Sequence, residues 1–144
     1  MILLDTTILV YAVGVEHPLR APARALLELV RAGTVRATTT IEAIQECAHV
    51  RSYRRSRVDA ATLARAYAVG LSPLVRPEAD DLFEGLDLFG TSSRIGAFEA
   101  VLAATARRRE WALASADRVF AQVEGLALLN PSSAGFLDEV RAAG

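Results

Sequence analysis

Apolar residues recur along the chain in two patterns, short continuous runs and longer stretches with helical spacing. The continuous runs predict buried strands at 2–4, 35–38, 74–75, 111–114 and 126–129. Apolar positions every three or four residues predict helices at 18–30, 41–50, 56–69, 79–89 and 97–109, with shorter helical segments at 8–13 and near 119–120. Strands that alternate with helices are typical of a parallel sheet covered on both faces, so we expect an α/β fold.

The helix predicted over 79–89, which Gly90 is expected to end, interleaves apolar residues with acids. Its apolar positions include Leu82, Phe83, Leu86 and Phe89. Its acids are Asp80, Asp81, Glu84 and Asp87. We interpret the acids as the solvent face of an amphipathic helix and assign them no chemistry.

Composition narrows the class of protein. The 144 residues match one domain in size, and 52% are hydrophobic against 23% charged, so we expect a single globular domain over 1–144. The formal net charge of −1 provides no global positive field, and any contact with nucleic acid must therefore be local. The apolar N-terminal run contains Asp5 and is too short to cross a bilayer, so we interpret it as a buried strand and expect no membrane contact.

Two residue counts exclude whole classes of chemistry. Cys47 is the only cysteine, which excludes an intramolecular disulfide and a CxxC metal site. All 16 basic residues are arginine, which excludes a Walker A loop, a Schiff base and a lysine-assisted aspartyl phosphate.

Two aspartates follow predicted strands and are candidates for a site. Asp5 ends the first strand, and Asp117 follows the strand predicted at 111–114. In open parallel sheets, sites form beyond the carboxyl ends of the strands, where both residues would lie. Each aspartate could equally cap the helix that follows it, and the sequence leaves the two interpretations open.

Other charged residues have two interpretations each. Glu42 and Glu46 share a helix face, either as a cation site or as a solvated edge. Glu99 opens an alanine-rich helix, where a buried carboxylate would need a partner, although surface exposure is the simpler explanation. The arginines form two groups. Those at 107–109 either bind phosphate or interact favourably with the C-terminus of their helix, and the group of Arg51, Arg54, Arg55 and Arg57 is the better candidate for RNA contact.

Four segments together carry a resemblance to a known family. They are MILLDTTILVY at 1–11, TTIEAIQE at 39–46 with Val50-Arg51 beyond it, GAFEAVLAAT at 96–105, and SADRVF at 115–120. In order and spacing the chain resembles the PIN-domain ribonucleases, and especially the VapC toxins of bacterial type II toxin–antitoxin pairs. The likeness extends over nearly the whole chain. It implies a three-layer α/β/α fold around a mostly parallel sheet of about five strands.

The resemblance also implies a site and its residues. Carried over position by position, the family's catalytic acids are Asp5, Glu46, Glu99 and Asp117, with Asp5, Glu99 and Asp117 as metal ligands. Thr6 and Ser115 match the family's hydroxyl positions, and Glu42 could bind a water or a second ion. Hard oxygen donors favour Mg²⁺, with Mn²⁺ as an alternative, over zinc. The implied protein is a cytoplasmic, homodimeric endoribonuclease that is neutralised by a cognate antitoxin.

One position departs from the family pattern, because Glu99 stands where these proteins commonly have aspartate. The extra methylene displaces the carboxylate by about a bond length, and Mg²⁺ requires near-octahedral geometry at about 2.0–2.1 Å. The alternative function is therefore a catalytically attenuated PIN-like module that binds RNA or protein. A phosphotransfer domain with Asp5 as nucleophile shares the α/β layout, but the sequence has Thr7 where a second aspartate is expected, and no lysine.

Overall fold

A four-stranded parallel sheet lies at the centre of the molecule. The structure is a computed structural model, and it describes all residues from Met1 to Gly144. The strands are β1 (Ile2–Leu4), β2 (Ala37–Thr39), β3 (Ala112–Ala114) and β4 (Leu128–Leu129), in the order β2-β1-β3-β4. Every pairing is parallel, which places the carboxyl ends of all strands at one edge.

The fifth predicted strand, at 74–75, is reduced to a single bridge. Val75 pairs with Thr40 beyond the end of β2, and its N–H donates to the Thr39 carbonyl at 3.0 Å. Pro73 and Pro77 stand two positions away on either side and have no N–H to donate to a ladder. The sheet therefore has four strands where about five were expected.

Seven α-helices cover the sheet, and the sequence predicted six of the segments. They are α1 (Thr6–Val13), α2 (Arg20–Arg31), α3 (Ile41–Ser52), α4 (Arg57–Gly70), α5 (Ala79–Thr91), α6 (Ala97–Arg108) and α7 (Phe136–Ala143), with a 3-10 helix at Arg118–Gln122. Side chains cap several of these helices, as Thr40 does for α3 by accepting from the Ala43 N–H at 3.1 Å. Helix α7 was not predicted, and α5 continues through Gly90, where we had predicted its end.

The two faces of the sheet bury separate cores, because successive side chains of a strand point in opposite directions. Ile2 and Leu4 join the core that includes Leu9 of α1, Leu26 of α2 and Val140 of α7. On the other face, Leu3 and Leu113 pack with alanines of α6, including Ala100, Ala103 and Ala106. This arrangement confirms the predicted three-layer α/β/α fold. None of the helices is both long enough and apolar enough to cross a lipid bilayer.

Helix α5 is rotated about its axis relative to the orientation that its pattern predicted. Asp81 is only 1% exposed, and it binds Arg109 Nη1 at 2.9 Å and Arg108 Nε at 3.1 Å. The predicted apolar face is exposed instead, with Phe83 at 62% and Phe89 at 46%. The interpretation of the α5 acids as a solvent face was therefore wrong for Asp81, which pairs with the arginines at the end of α6, whereas Asp80 and Asp87 are exposed as predicted.

A glycine allows α5 and α6 to approach closely. A Cβ at Gly85 would lie 2.7 Å from Val101 Cα, so no larger residue fits without a shift of one helix. This contact holds α6, which carries Glu99 in its first turn, in a defined position against α5.

Candidate functional site

The four carboxylates predicted from the resemblance line one cavity of about 1260 Å³ at the carboxyl edge of the sheet. Asp5 directly follows β1, Asp117 lies three residues beyond β3, and Glu46 belongs to the helix after β2. Glu99 enters from the first turn of α6. Because the strands are parallel, their carboxyl ends bring these distant residues to one rim. Glu42 lines the same cavity.

Asp5 is the most rigidly held of the acids. It is 7% exposed, and its Oδ2 accepts hydrogen bonds of 2.6 Å from Thr7 Oγ1 and from Ser115 Oγ. No protein group donates to its Oδ1, which is left open to the cavity. The same side chain caps α1, so the capping and site interpretations of Asp5 are compatible.

A second aspartate is tied to the first through one hydroxyl. Ser115 Oγ donates to Asp5 and accepts the Asp117 N–H at 3.0 Å. Asp117 Oδ1 in turn accepts from the Val119 N–H at 2.9 Å, which caps the 3-10 helix, and the Asp117 side chain remains exposed. Ser115, predicted only as an auxiliary residue, therefore sets the separation of the two aspartates.

The two glutamates reach the cavity from helices. Thr6 Oγ1 donates to Glu46 Oε2 at 2.6 Å and orients an otherwise exposed side chain. Glu99 is half-buried, and its carboxylate bends back over Gly96, where a Cβ would collide with Oε2. The extra methylene of Glu99 is thus taken up by a bend towards the start of its own helix.

None of the cavity acids forms an ion pair. The arginines bind other carboxylates: Arg107, Arg108 and Arg109 pair with Asp80, Asp81 and Glu84 of α5, and Arg51 pairs with Asp59. Six acids and one arginine, Arg54, line the cavity, so most of its negative charge is uncompensated by the protein. Like charges gathered in this way repel one another, and a cation would relieve the repulsion.

The chemistry of the donor atoms suits a hard divalent cation, but the side chains that carry them are too far apart to hold one together. The acids and the neighbouring hydroxyls supply only oxygen, which Mg²⁺ and Mn²⁺ prefer. No three acid, histidine or cysteine side chains lie close enough together, as they stand, to hold an ion. Glu46 and Asp117 are exposed side chains, and a single hydrogen bond holds each carboxylate.

The arginines predicted to contact RNA have different surroundings. Arg51 Nε donates to Asp59 Oδ2 at 2.6 Å, and this contact lowers the pKa of the Asp59 carboxyl. Arg54 is exposed and lines the cavity that holds the acids, whereas Arg55 lines only a smaller adjacent cavity. Of the three, Arg54 is the one placed beside the acids without a carboxylate partner.

Sequence reasoning missed three residues of this cavity. Thr7 binds Asp5, and its Oγ1 also accepts the Ala116 N–H at 3.0 Å, a contact that only folding creates. His17 and His49 also line the cavity, and the sequence pattern singles out neither of them. The closeness of His49 to Glu46 on one helix was the available signal, since three residues separate neighbours on a helix face.

Cys47 lies next to Glu46 in sequence but is chemically silent. Its side chain is 1% exposed, and burial raises the pKa of the thiol to about 11. The thiol is therefore protonated at neutral pH and takes no part in the chemistry of the cavity.

The parallel three-layer fold and the acids at the carboxyl edge of its sheet together indicate the class of protein to which the chain belongs. The family model of the PIN domain matches residues 2–126, and the chain belongs to that family.

Individual relatives show which members of the family the chain resembles. The chain is 45% identical over 139 residues to Ribonuclease VapC7 of Mycobacterium tuberculosis, an alignment that covers 95% of this chain and 96% of that protein. It is 38% identical over 112 residues to Ribonuclease VapC23 of the same species, covering 76% of this chain and 86% of the relative. The fold resembles that in a crystal structure of VapBC2 from Rickettsia felis bound to a DNA fragment from their promoter. The TM-score is 0.70, the identity is 20%, and the match covers 90% of this chain and 98% of the other.

Proposed function

We propose that this chain, acting as one domain over 1–144, is a metal-dependent endoribonuclease and the toxin of a type II toxin–antitoxin pair. The observation that carries the proposal is a cavity lined by Asp5, Glu46, Glu99 and Asp117, none of which has a basic partner. The 45% identity to Ribonuclease VapC7 over almost the full length of both chains supports RNA as the substrate.

In the proposed site, Asp5, Glu99 and Asp117 hold Mg²⁺, with Mn²⁺ as a substitute. A bound divalent ion neutralises the acids and stabilises negative charge on the scissile phosphate. Glu46, oriented by Thr6, completes the site or orients the attacking water. Glu42 lies at the edge of the same cavity and could hold a further water. Phosphodiester hydrolysis would leave a 5′-phosphate and a 3′-hydroxyl, as the family resemblance implies.

The roles of the hydroxyl groups follow from their contacts. Thr7 and Ser115 occupy Oδ2 of Asp5 and leave Oδ1 for the ion. A neighbouring hydrogen bond fixes the ligand side chain and keeps its free oxygen directed at the site. Loss of such a hydrogen-bond partner typically lowers metal affinity or activity by about 10- to 100-fold.

We place the protein in the cytoplasm. Its exposed apolar side chains support two protein contacts, one with an antitoxin and one with a second copy of the chain. Leu82, Leu86 and Phe98 line the cavity beside the acids, so a segment of a cognate antitoxin would cover them and close the site. Phe83 and Phe89 are exposed outside the cavity, and we assign them to a homodimer contact. Light scattering of Phe83→Asp would detect loss of the dimer; an unchanged mass would remove this assignment.

The test of the function is RNA cleavage with and without a divalent ion. Mg²⁺ or Mn²⁺ should support cleavage by the wild-type chain, and EDTA or Asp5→Asn should abolish it. Cleavage that survives both treatments would refute the proposal. Cleavage that arises only in Glu99→Asp would instead select the attenuated PIN-like module, because the shorter side chain restores the usual family acid.

A further inference from the structure

Beside the acids, the cavity wall carries an aromatic stack that the proposed chemistry does not use. Tyr11 and His17 lie with ring centroids 4.6 Å apart and ring planes at 28°, and both line the cavity that contains Asp5 and Glu46. Tyr11 is half-buried against the core, whereas His17 is exposed. One face of the imidazole is therefore covered by Tyr11, and the other is open to solvent.

Two local contacts hold the imidazole in place. Its Nδ1 accepts the Leu19 N–H at 3.2 Å, and Pro18 follows it directly with a fixed φ. Tyr11 lies within α1, whose first residue follows Asp5. The imidazole ring of His17 is thus held against Tyr11 of α1, the helix that follows Asp5. A flat ligand would bind this ring with little loss of side-chain freedom.

An unpaired cation lines the same cavity as this stack. Arg54 lines the large cavity with Tyr11 and His17, and it also lines the smaller cavity with Gly14 and Val15, which precede His17 in the chain. Arg51, one helical turn before Arg54, donates to the Val13 carbonyl at 3.3 Å and so joins the end of α3 to this segment. No carboxylate binds Arg54, in contrast to Arg51. A guanidinium without a carboxylate partner can hold a phosphate bidentately.

We propose that His17, supported by Tyr11, and Arg54 form a nucleotide subsite for single-stranded RNA next to the acidic rim. One unpaired base stacks on the open face of the imidazole, and the guanidinium of Arg54 binds a phosphate of the same strand. Single-stranded RNA is recognised in this manner, by unstacked bases on aromatic or histidine rings and by basic side chains on the backbone. The inference rests on the proposed function for the identity of the ligand and adds the residues that position it.

The experiment measures binding of a short single-stranded RNA that contains one 2-aminopurine. All variants carry Asp5→Asn, which is expected to keep the RNA intact, and the buffer contains EDTA. Stacking on His17 should quench the 2-aminopurine fluorescence. His17→Phe should retain the quenching and the affinity, whereas His17→Ala and His17→Leu should lose the quenching and weaken binding by about 5- to 150-fold.

Arg54→Gln should weaken binding of every RNA sequence and make the slope of log K against log salt shallower by about 0.7. Arg65 is an exposed arginine outside both cavities, and Arg65→Gln serves as the matched control for the charge. This variant should bind RNA as the parent does. Unchanged thermal unfolding of each variant would show that the fold is intact.

The outcomes separate this inference from the proposed function. Equal affinity of His17→Leu and His17→Phe would overturn the stacking role, and binding unaffected by Arg54→Gln would overturn the phosphate contact, even if the wild-type chain cleaves RNA. If the variants show the predicted losses of binding but the wild-type chain cleaves no RNA with Mg²⁺ or Mn²⁺, the subsite would be supported and the nuclease refuted.

Discussion

The Thr6 hydroxyl donates a hydrogen bond of 2.6 Å to Glu46 Oε2, and it thereby joins the first turn of α1 to the middle of α3 across the cavity. Thr6 directly follows Asp5, so one dipeptide supplies a proposed metal ligand and the group that orients the second acid. Thr6 itself is buried, at 5% exposure.

Replacing Thr6 tests whether this contact matters for activity. Thr6→Val keeps the shape of the side chain and removes the donor, so Glu46 loses its orientation. We expect RNA cleavage to fall by about 10- to 100-fold with little change in unfolding temperature. Thr6→Ser retains the hydroxyl and should keep most of the activity. Equal activity of the valine and serine variants would show that Glu46 needs no positioning.

Divalent ions should stabilise the folded chain. An ion that binds only the folded state adds RT ln(1 + [L]/Kd), or about 2.7 kcal/mol at a hundred times Kd. The thermal midpoint should therefore rise on addition of Mg²⁺ or Mn²⁺ to the wild type and much less in Asp5→Asn. Asp138→Asn changes an acid outside the cavity, 86% exposed, and should respond like the wild type. An equal rise in all of them would indicate non-specific binding.

Asp81, the buried acid of α5, should contribute strongly to the free energy of unfolding. Asp81→Ala leaves Arg108 and Arg109 without their shared carboxylate and frees the Glu78 N–H, which donates to Asp81 Oδ2 at 2.8 Å. Because the arginines are partly exposed, we expect a loss of about 1–3 kcal/mol rather than the larger cost of a fully buried pair. Asp80→Ala, at a carboxylate 69% exposed, should cost less than about 1 kcal/mol in the same chemical denaturation.

The close contact between α5 and α6 predicts different effects for two glycines of α5. Gly85→Ala would place a Cβ 2.7 Å from Val101 Cα, so one helix must shift at a cost of about 1–3 kcal/mol. Gly90→Ala meets nothing within 4 Å and should stabilise α5 by about 0.5–1 kcal/mol, because alanine is the better helix former. Urea denaturation of both variants measures the difference; similar values would contradict the tight approach.

The thiol of Cys47 gives a pH-dependent prediction. Because burial raises the pKa of Cys47 from 9.0 to about 11, folding favours the protonated thiol. Its contribution to stability is complete below pH 9.0 and is lost as the pH rises towards 11. The unfolding free energy of the wild type should therefore fall more steeply over this range than that of Cys47→Ala. Iodoacetamide should label Cys47 at pH 8 only after denaturation.

Local pattern and chemistry were enough to predict most of the secondary structure, because caps and periodicity act within a few residues. The apolar run at β1 and the cap at Thr40 needed no knowledge of the rest of the chain. Asp5 and Asp117 could also be predicted to share one rim, since parallel strands align their carboxyl ends, whereas Glu46 and Glu99 were assigned to it only by the family resemblance. Helix α7 escaped prediction because it has only 8 residues and no side chain caps its N-terminus, whereas α1, of the same length, follows the capping residue Asp5.

Tertiary structure alone decided which face of α5 is buried. The apolar residues of α5 predicted one orientation, but the buried pairing of Asp81 with Arg108 and Arg109 imposed the other. The same holds for Ser115, which meets Asp5 only because β1 and β3 are neighbours, and for the contact between Thr7 and the Ala116 N–H. The sequence by itself determined the elements and the types of site residues. Only folding decided their partners, because contacts between residues distant in sequence depend on how the helices and strands pack.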